Sequence, residues 1–315
     1  MYGIGAIGVW KLVPYPMDPE ENGAPPRSLR EKLSGFDYGG IILATGGLTI
    51  FTFAITQANS LTNGWRSPTI ISLLVLGVAF ITAFCFYETY IPKNPLMPMS
   101  IWKYPGVALC MLISSCGWMA FNGITTYYCP LYFLKVVRVS PILATAYLTP
   151  YSIFGISVNI FAAFTLHRIP GRYLLIAGNL GYLGTSLIWA LIPLGSNYWA
   201  LPFPSMFLGV IGSDLAYNVG NIHILRSVSS KLQSSAAGMF NTNLQLSITV
   251  GLAASSAVVS TIVQNQDSAS PELLLKGYHA GAWLAVGMSA VGLLMTPFLR
   301  IGLQGIDEKL PHDEV

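Results

Sequence analysis

Charge is what this sequence has least of. Only 9% of its 315 residues are Asp, Glu, Lys or Arg, against about 25% in an ordinary soluble domain. A water-soluble fold of this length needs far more charge to cover its surface, so lipid is the solvent that fits. The net charge of +3 comes without basic clusters, which argues against nucleic acid as a partner. Cysteine is scarce too. Cys85, Cys110, Cys116 and Cys129 form no C-x-x-C pair, and the first three lie in apolar runs. Small buried side chains are the plain reading, ahead of disulfides or metal ligands. Catalytic patterns are missing: no HExxH, no GxSxG, no GxxxxGK[ST], and no paired carboxylates inside an apolar run. The expectation is therefore no enzyme, no cofactor and no metal. There is no signal-peptide pattern either, because no basic residue stands ahead of "YGIGAIGVW" after Met1. That run also falls short of the roughly 20 residues that cross a bilayer, and it reads as the last turns of a helix begun earlier.

What is present is apolar length. Mean hydropathy is +0.58. Eight stretches are long enough to span a bilayer, near 36–56, 68–88, 106–128, 142–165, 173–193, 199–222, 236–262 and 280–301. Backbone groups inside lipid must bond internally, so these stretches predict helices; the short alternating segments of a membrane barrel do not occur. Polar connections separate them, notably 14–35, 89–105 and 265–277, with a polar tail at 302–315. Assigning alternate connections to one side puts all but four of the 16 Lys and Arg together; the exceptions are Arg66, Lys135, Arg138 and Lys276. By the positive-inside rule the linker, the 166–172 loop, the 223–235 loop and the tail are cytoplasmic.

Polar side chains inside such spans are costly, so their positions carry information. Asp214 is the only Asp, Glu, Lys or Arg between Arg172 and Arg226. Asn218 and Asn221 follow it at i+4 and i+7, on one helical face, with Tyr217 beside them. The next span repeats the pattern with Asn241, Gln245 and Thr249 at four-residue steps. Stripes of this kind face water or each other. Amides also serve as plain hydrogen bonds between helices, whereas a lone mid-span acid is a functional hypothesis by default. Partial desolvation works against its charged form, which suits Asp214 to exchanging protons; balancing a cationic substrate is the other role open to it.

The fourth span carries Pro150 near its centre, a bend point, with Tyr147, Tyr151 and Phe154 on one face around it. The third offers Trp118 and Asn122 at i, i+4, with Phe121 alongside. Such faces suit planar or cationic compounds and equally suit packing between helices. Gly178, Gly181 and Gly184 recur at three-residue steps and predict a close helix crossing. His167 and His223 sit at span ends, where a solvated histidine is the ordinary outcome.

One connection resembles a known loop. "AAFTLHRIPGRYLLIAG" (162–178) is similar to the G-x-x-x-D-R-x-G-R loop of major facilitator transporters: Arg168, Gly171 and Arg172 match, Ala163 replaces the first Gly, His167 replaces the Asp, and one extra residue lengthens the turn at Ile169–Pro170. Longer stretches, "FDYGGIILATGGLTIFTFAITQANSLTNGW" (36–65), "NPLMPMSIW" (94–102), "MFLGVIGSDLAYN" (206–218) and "AAGMFNTNLQLSITVGLA" (236–253), resemble the fungal fourteen-helix drug:proton antiporter branch, nearest to aminotriazole-resistance and low-affinity ammonium transporters.

That resemblance implies an all-α membrane protein with eight transmembrane helices. Residues 1–13 would be the remnant of a preceding helix and 14–35 a cytoplasmic linker. Two extra helices would occupy 36–88, a cytoplasmic loop 89–105, a six-helix C-terminal bundle 106–301 and a cytoplasmic tail 302–315. An N-terminal six-helix bundle would be missing from the chain. The implied function is proton-coupled export of drugs or small toxic or ionic compounds across the plasma or vacuolar membrane, with ammonium and borate as alternative cargo. The substrate site would lie at mid-depth between two bundles, with Asp214 as proton or cation site and Asn218, Asn221, Asn241, Gln245, Trp118, Asn122, Tyr147 and Tyr151 as cavity side chains. A non-transporting scaffold, or a half-transporter that needs a partner bundle, remains the rival.

Overall fold

The chain divides into two compact units, Met1–Asp37 and Tyr38–Val315. The structure, a computed structural model, describes residues 37–58, 64–92, 97–263 and 269–302, all but Asp37 in the second unit. The stretches expected as a helix remnant (1–13), a linker (14–35) and, beyond Gly302, a tail lie outside the described residues.

Among the described residues there is no strand, and eight long helices follow one another. They are α1 (Tyr38–Gln57), α2 (Pro68–Tyr90), α3 (Val107–Val136), α4 (Pro141–Thr165), α5 (Gly171–Leu191), α6 (Pro202–Ser227), α7 (Gln233–Ile262) and α8 (Pro271–Met295). Proline opens α2, α4, α6 and α8, where its missing N–H has no helical partner to lose. Ser140 and Ser270 cap α4 and α8, each accepting from a backbone N–H three residues on at 3.3 Å.

Seven of the eight are long and apolar enough to cross a membrane. The eighth, α6, has 26 residues and ample length, but Asp214, Asn218, Asn221 and His223 lower its apolar content. The outward faces are oily. Ile142, Ile156, Phe161 and Phe164 of α4 are exposed, as are Ile71, Val75 and Phe86 of α2. An apolar surface of this extent is at rest in hydrocarbon and not in water.

Two expected boundaries move. The last span was expected at 280–301, but α8 begins at Pro271. Ser270 and Pro271 supply a start signal that the polar look of "NQDSASPELLLKG" hides. The third span was expected to end at 128, but α3 runs 30 residues to Val136. It carries Pro130 in its interior and changes register around it: α over Val107–Trp118, π over Met119–Thr125, α over Thr126–Leu131, π over Tyr132–Val136. The wider register turns Thr125 and Thr126 back onto the carbonyls of Ala120 and Phe121, five residues earlier, at 2.9 and 3.0 Å.

Small residues set the helix crossings. α5 lies on α6, where a Cβ added to Gly178 would stand 3.2 Å from Ala216 N and one added to Gly212 would stand 3.0 Å from Gly178 O. The glycine steps read in α5 serve this contact. α3 crosses α7 in the same manner, with Gly123 against Ile248 O and Gly251 against Met119 O. Around these crossings α6 touches α3, α4, α5 and α7, while α8 lies against α3, α5 and α7. α1 pairs with α2 and rests on α7. The interior holds two large apolar clusters, one around Met111, Tyr182, Val219 and Phe240, the other around Tyr132, Trp189, Met206 and Tyr278.

Candidate functional site

Asp214 lies near the middle of α6 and is half-buried. Its Oδ2 accepts a 2.9 Å hydrogen bond from Asn159 Nδ2 on α4. Asn159 is tied on both sides. Its nitrogen also donates to Gly155 O at 2.9 Å, and its Oδ1 accepts from Asn218 Nδ2 at 3.1 Å. Asn218 in turn donates to the backbone oxygen of Asp214 at 2.8 Å. A chain of two amides therefore leads to one carboxylate and joins α4 to α6. No lysine or arginine pairs with Asp214 among the described residues. Amides orient a carboxylate, but they do not cancel its charge. What this arrangement can do chemically is take up a proton or hold a cation.

The polar strip continues across α6. Tyr217 Oη donates to Asn241 Oδ1 on α7 over 3.4 Å, and its ring stands 5.9 Å from Trp118 on α3 and 5.8 Å from Phe240. Asn241 and Gln245 are exposed on α7, one turn apart. The Nε1 of Trp118, the Nδ2 of Asn122 and the Oδ1 of Asn221 are buried, and none has a partner among the described residues. Asp214 and Asn218 are thus brought to Asn159 of α4, and Tyr217 to Trp118 of α3 and Asn241 of α7.

Tyr147 and Tyr151 are placed differently. Tyr147 stacks on Tyr198 with centroids 4.4 Å apart and planes at 17°, and its carbonyl accepts from Tyr198 Oη at 2.9 Å. Phe133 closes the same group. Tyr151 lies edge-on to Phe121 at 6.0 Å and packs against both large apolar clusters. Pro150 stands between these two tyrosines on α4, near the helix centre.

The 166–170 turn, with His167 and Arg168 exposed, leads into α5. Gly171 N donates to Gly302 O at 2.9 Å and Arg172 N to Ile301 O at 3.4 Å. The loop motif here clasps the segment after α8 through its backbone. Neither arginine has a carboxylate partner among the described residues, in keeping with the missing Asp of the motif. His223 departs from the solvated state expected of it: it is half-buried, with Nε2 sealed from solvent near Gly106.

Three polar residues escaped the sequence reading. Asn159 is a lone amide in a span whose proline and aromatics drew attention, and only the fold brings it to Asp214. Asn243 lies between Asn241 and Gln245 but points the other way. It accepts from Ser115 Oγ at 3.1 Å and donates to Met111 O at 3.2 Å, joining α7 to α3. Glu88, 4% exposed, accepts from Met97 N at 3.3 Å and fastens the chain that follows α2.

Among known families, residues 24–252 match the one described as Major Facilitator Superfamily. The chain is 28% identical over 264 residues to the Low affinity ammonium transporter of Saccharomyces cerevisiae, covering 84% of this chain and 49% of that protein. It is 26% identical to Efflux pump terG of Aspergillus terreus, with 93% and 54% covered. It is 25% identical to the Aminotriazole resistance protein of Saccharomyces cerevisiae, with 82% and 46% covered. The chain spans about half the length of these curated relatives, all of them fungal. The likeness first carried by the 162–178 loop thus extends over most of the sequence. Together with seven helices able to cross a bilayer, it makes this an all-α, multi-pass integral membrane protein that belongs to the major facilitator superfamily.

Proposed function

We propose that the chain works in proton-coupled export of small organic or ionic compounds, with Asp214 carrying the proton or balancing a cationic cargo. One observation carries this reading. A carboxylate halfway along α6 is held by an amide of a neighbouring helix, at 2.9 Å, with no cation beside it among the described residues. A structural acid is normally neutralised by a basic partner; one that is oriented but left with its charge is poised for exchange. Asn218, Asn221, Asn241 and Gln245 are the proposed cavity partners, with Trp118, Asn122, Tyr147 and Tyr151 as aromatic and amide walls. α6 spans the membrane with the other seven helices in this reading, its polar side turned to water.

The architecture follows the same proposal. Residues 36–88 form an extra helix pair and 106–301 a six-helix bundle. That bundle gives one wall of a mid-depth cavity, and a second bundle gives the other. The relatives, about twice as long as the stretch they share with this chain, support a facing bundle. Their names, an ammonium transporter, an efflux pump and an aminotriazole resistance protein, support small cationic or toxic compounds as cargo. The plasma or vacuolar membrane is the proposed location.

The test uses the chain together with its facing bundle, reconstituted in vesicles that enclose a pH-sensitive dye. Ammonium and aminotriazole are the probes. Proton movement on addition of probe is expected from the wild type, in part from Asp214→Glu, and not from Asp214→Asn. Undiminished proton movement in Asp214→Asn would remove Asp214 from this role. Probe-driven proton movement by the 315 residues alone would remove the need for a second bundle.

A further inference from the structure

Away from Asp214, toward the end of the helices opposite the 166–170 turn, α3, α5 and α8 enclose a cavity of about 20 Å³. Its walls include Thr125, Tyr132, Trp189 and Tyr278. These are mostly aromatic surfaces, yet the buried polar atoms on them are unusual. Tyr132, Tyr278 and Trp189 are 2%, 4% and 6% exposed. The Oη of each tyrosine and the Nε1 of the tryptophan are sealed from solvent and have no hydrogen-bond partner among the described residues, and the same holds for the Oη of Tyr128, which also lines the cavity but stands beside Ser255 and Ser256 of α7. A buried hydroxyl or indole N–H left unsatisfied costs about 1–3 kcal/mol, and several in one place are a large penalty for a well-packed interior. We propose that one ordered water molecule occupies this cavity and is shared by the three helices.

Size and stoichiometry both fit. One water needs roughly 10–15 Å³ of such space and two to four polar partners. A second water would not fit. Trp189 can only donate, and the phenols can donate or accept. Thr125 Oγ1 already donates to Ala120 O at 2.9 Å, so toward the cavity it can only accept. A water that accepts two bonds and donates two serves Trp189, Tyr132, Tyr278 and Thr125, with one phenol acting as acceptor, and leaves Tyr128 to the serines of α7. Thr125 is the last residue of the π segment Met119–Thr125. The water therefore sits where α3 returns to α register and pins that point to Trp189 of α5 and Tyr278 of α8.

The experiment is a structure of the full chain in lipid nanodiscs at a resolution that shows waters. The expected result is a single peak within about 3 Å of at least two of Tyr132 Oη, Tyr278 Oη, Trp189 Nε1 and Thr125 Oγ1. An empty cavity, or phenols bonded directly to one another or to carbonyls, overturns the proposal. Thermal melting gives a second reading through Tyr132→Phe, Tyr278→Phe and the double variant. Each single change is expected to lower Tm by about 2–4 °C. The double should lose little more than the worse single, because the same water is lost once. Additive losses, or unchanged melting in both singles, would count against a shared water.

Discussion

Asn159 of α4 and Asp214 of α6 are joined by a 2.9 Å hydrogen bond from the amide nitrogen to Oδ2, and the direction of that bond is fixed by its surroundings. Turned over, the amide would set its oxygen against the carboxylate and lose both the bond to Gly155 O and the one from Asn218. The carboxylate is thus aimed by a neighbour that is itself held at every polar position. α4 touches α6 more than any other helix, so this contact also reports how the two helices sit against each other.

Removing the aiming residue should therefore weaken coupling without removing the acid. Hydrogen bonds to charged groups contribute about 1.5–3 kcal/mol, and about 1.4 kcal/mol is a factor of ten in rate. Asn159→Ala is expected to lower probe-driven proton flux by about tenfold. Asn218→Ala, acting through Asn159, should cost about two- to threefold. The double variant should be no slower than Asn159→Ala alone, as expected for groups in one network. Fully multiplicative losses in the vesicle assay would mean that Asn218 touches the cargo by itself.

The α3–α7 crossing makes a separate demand. A Cβ on Gly251 would stand 2.8 Å from Met119 O, and one on Gly123 would stand 2.8 Å from Ile248 O. Both obstacles are backbone, so relief requires the helices to part, next to the π segment of α3. Gly251→Val is expected to cost about 1–3 kcal/mol, read as a fall of several degrees in Tm in nanodiscs. Gly238 lies on the same helix with nothing within 4 Å of its added Cβ. Gly238→Ala should be neutral or slightly stabilising, since alanine favours the helix by up to about 1 kcal/mol. Equal losses in the two variants would show that glycine matters here for flexibility and not for close approach.

What was legible in the sequence was whatever repeats along one helix. The apolar runs give the helices, and the glycine steps of α5 give a close helix crossing, whose partner, α6, only the fold names. The i, i+4, i+7 spacing gives the polar stripe of α6. What was hidden depends on a second helix or on register. Nothing near "SVNIF" indicates that Asn159 meets Asp214, because the two lie on helices separated by α5. The π segments of α3 are likewise invisible to a 3.6-residue period, and they carry that helix beyond its expected end. The Tyr147–Tyr198 stack pairs a span residue with one from the short connection between the spans read at 173–193 and 199–222. Spacing reports faces, and only the fold says which faces meet.

The start of α3 offers a test of backbone conformation. Gly106 is its N-cap, with φ of 83°, a region that side-chain-bearing residues enter at a cost of about 1–2 kcal/mol. A Cβ there would also stand 3.1 Å from His223 Nε2 and 3.2 Å from Leu299 Cδ1. Gly106→Ala should lower stability through both effects, and His223→Ala separates them by clearing the histidine. If the left-handed backbone is the larger demand, Gly106→Ala made in the His223→Ala background will still lower Tm by most of the amount seen in the wild type. If the loss disappears in that background, the backbone is free to relax and the cost is crowding against the imidazole. The first outcome is expected, because Gly106 O accepts the 2.8 Å bond from Cys110 N that begins α3, which leaves the residue little freedom to rotate.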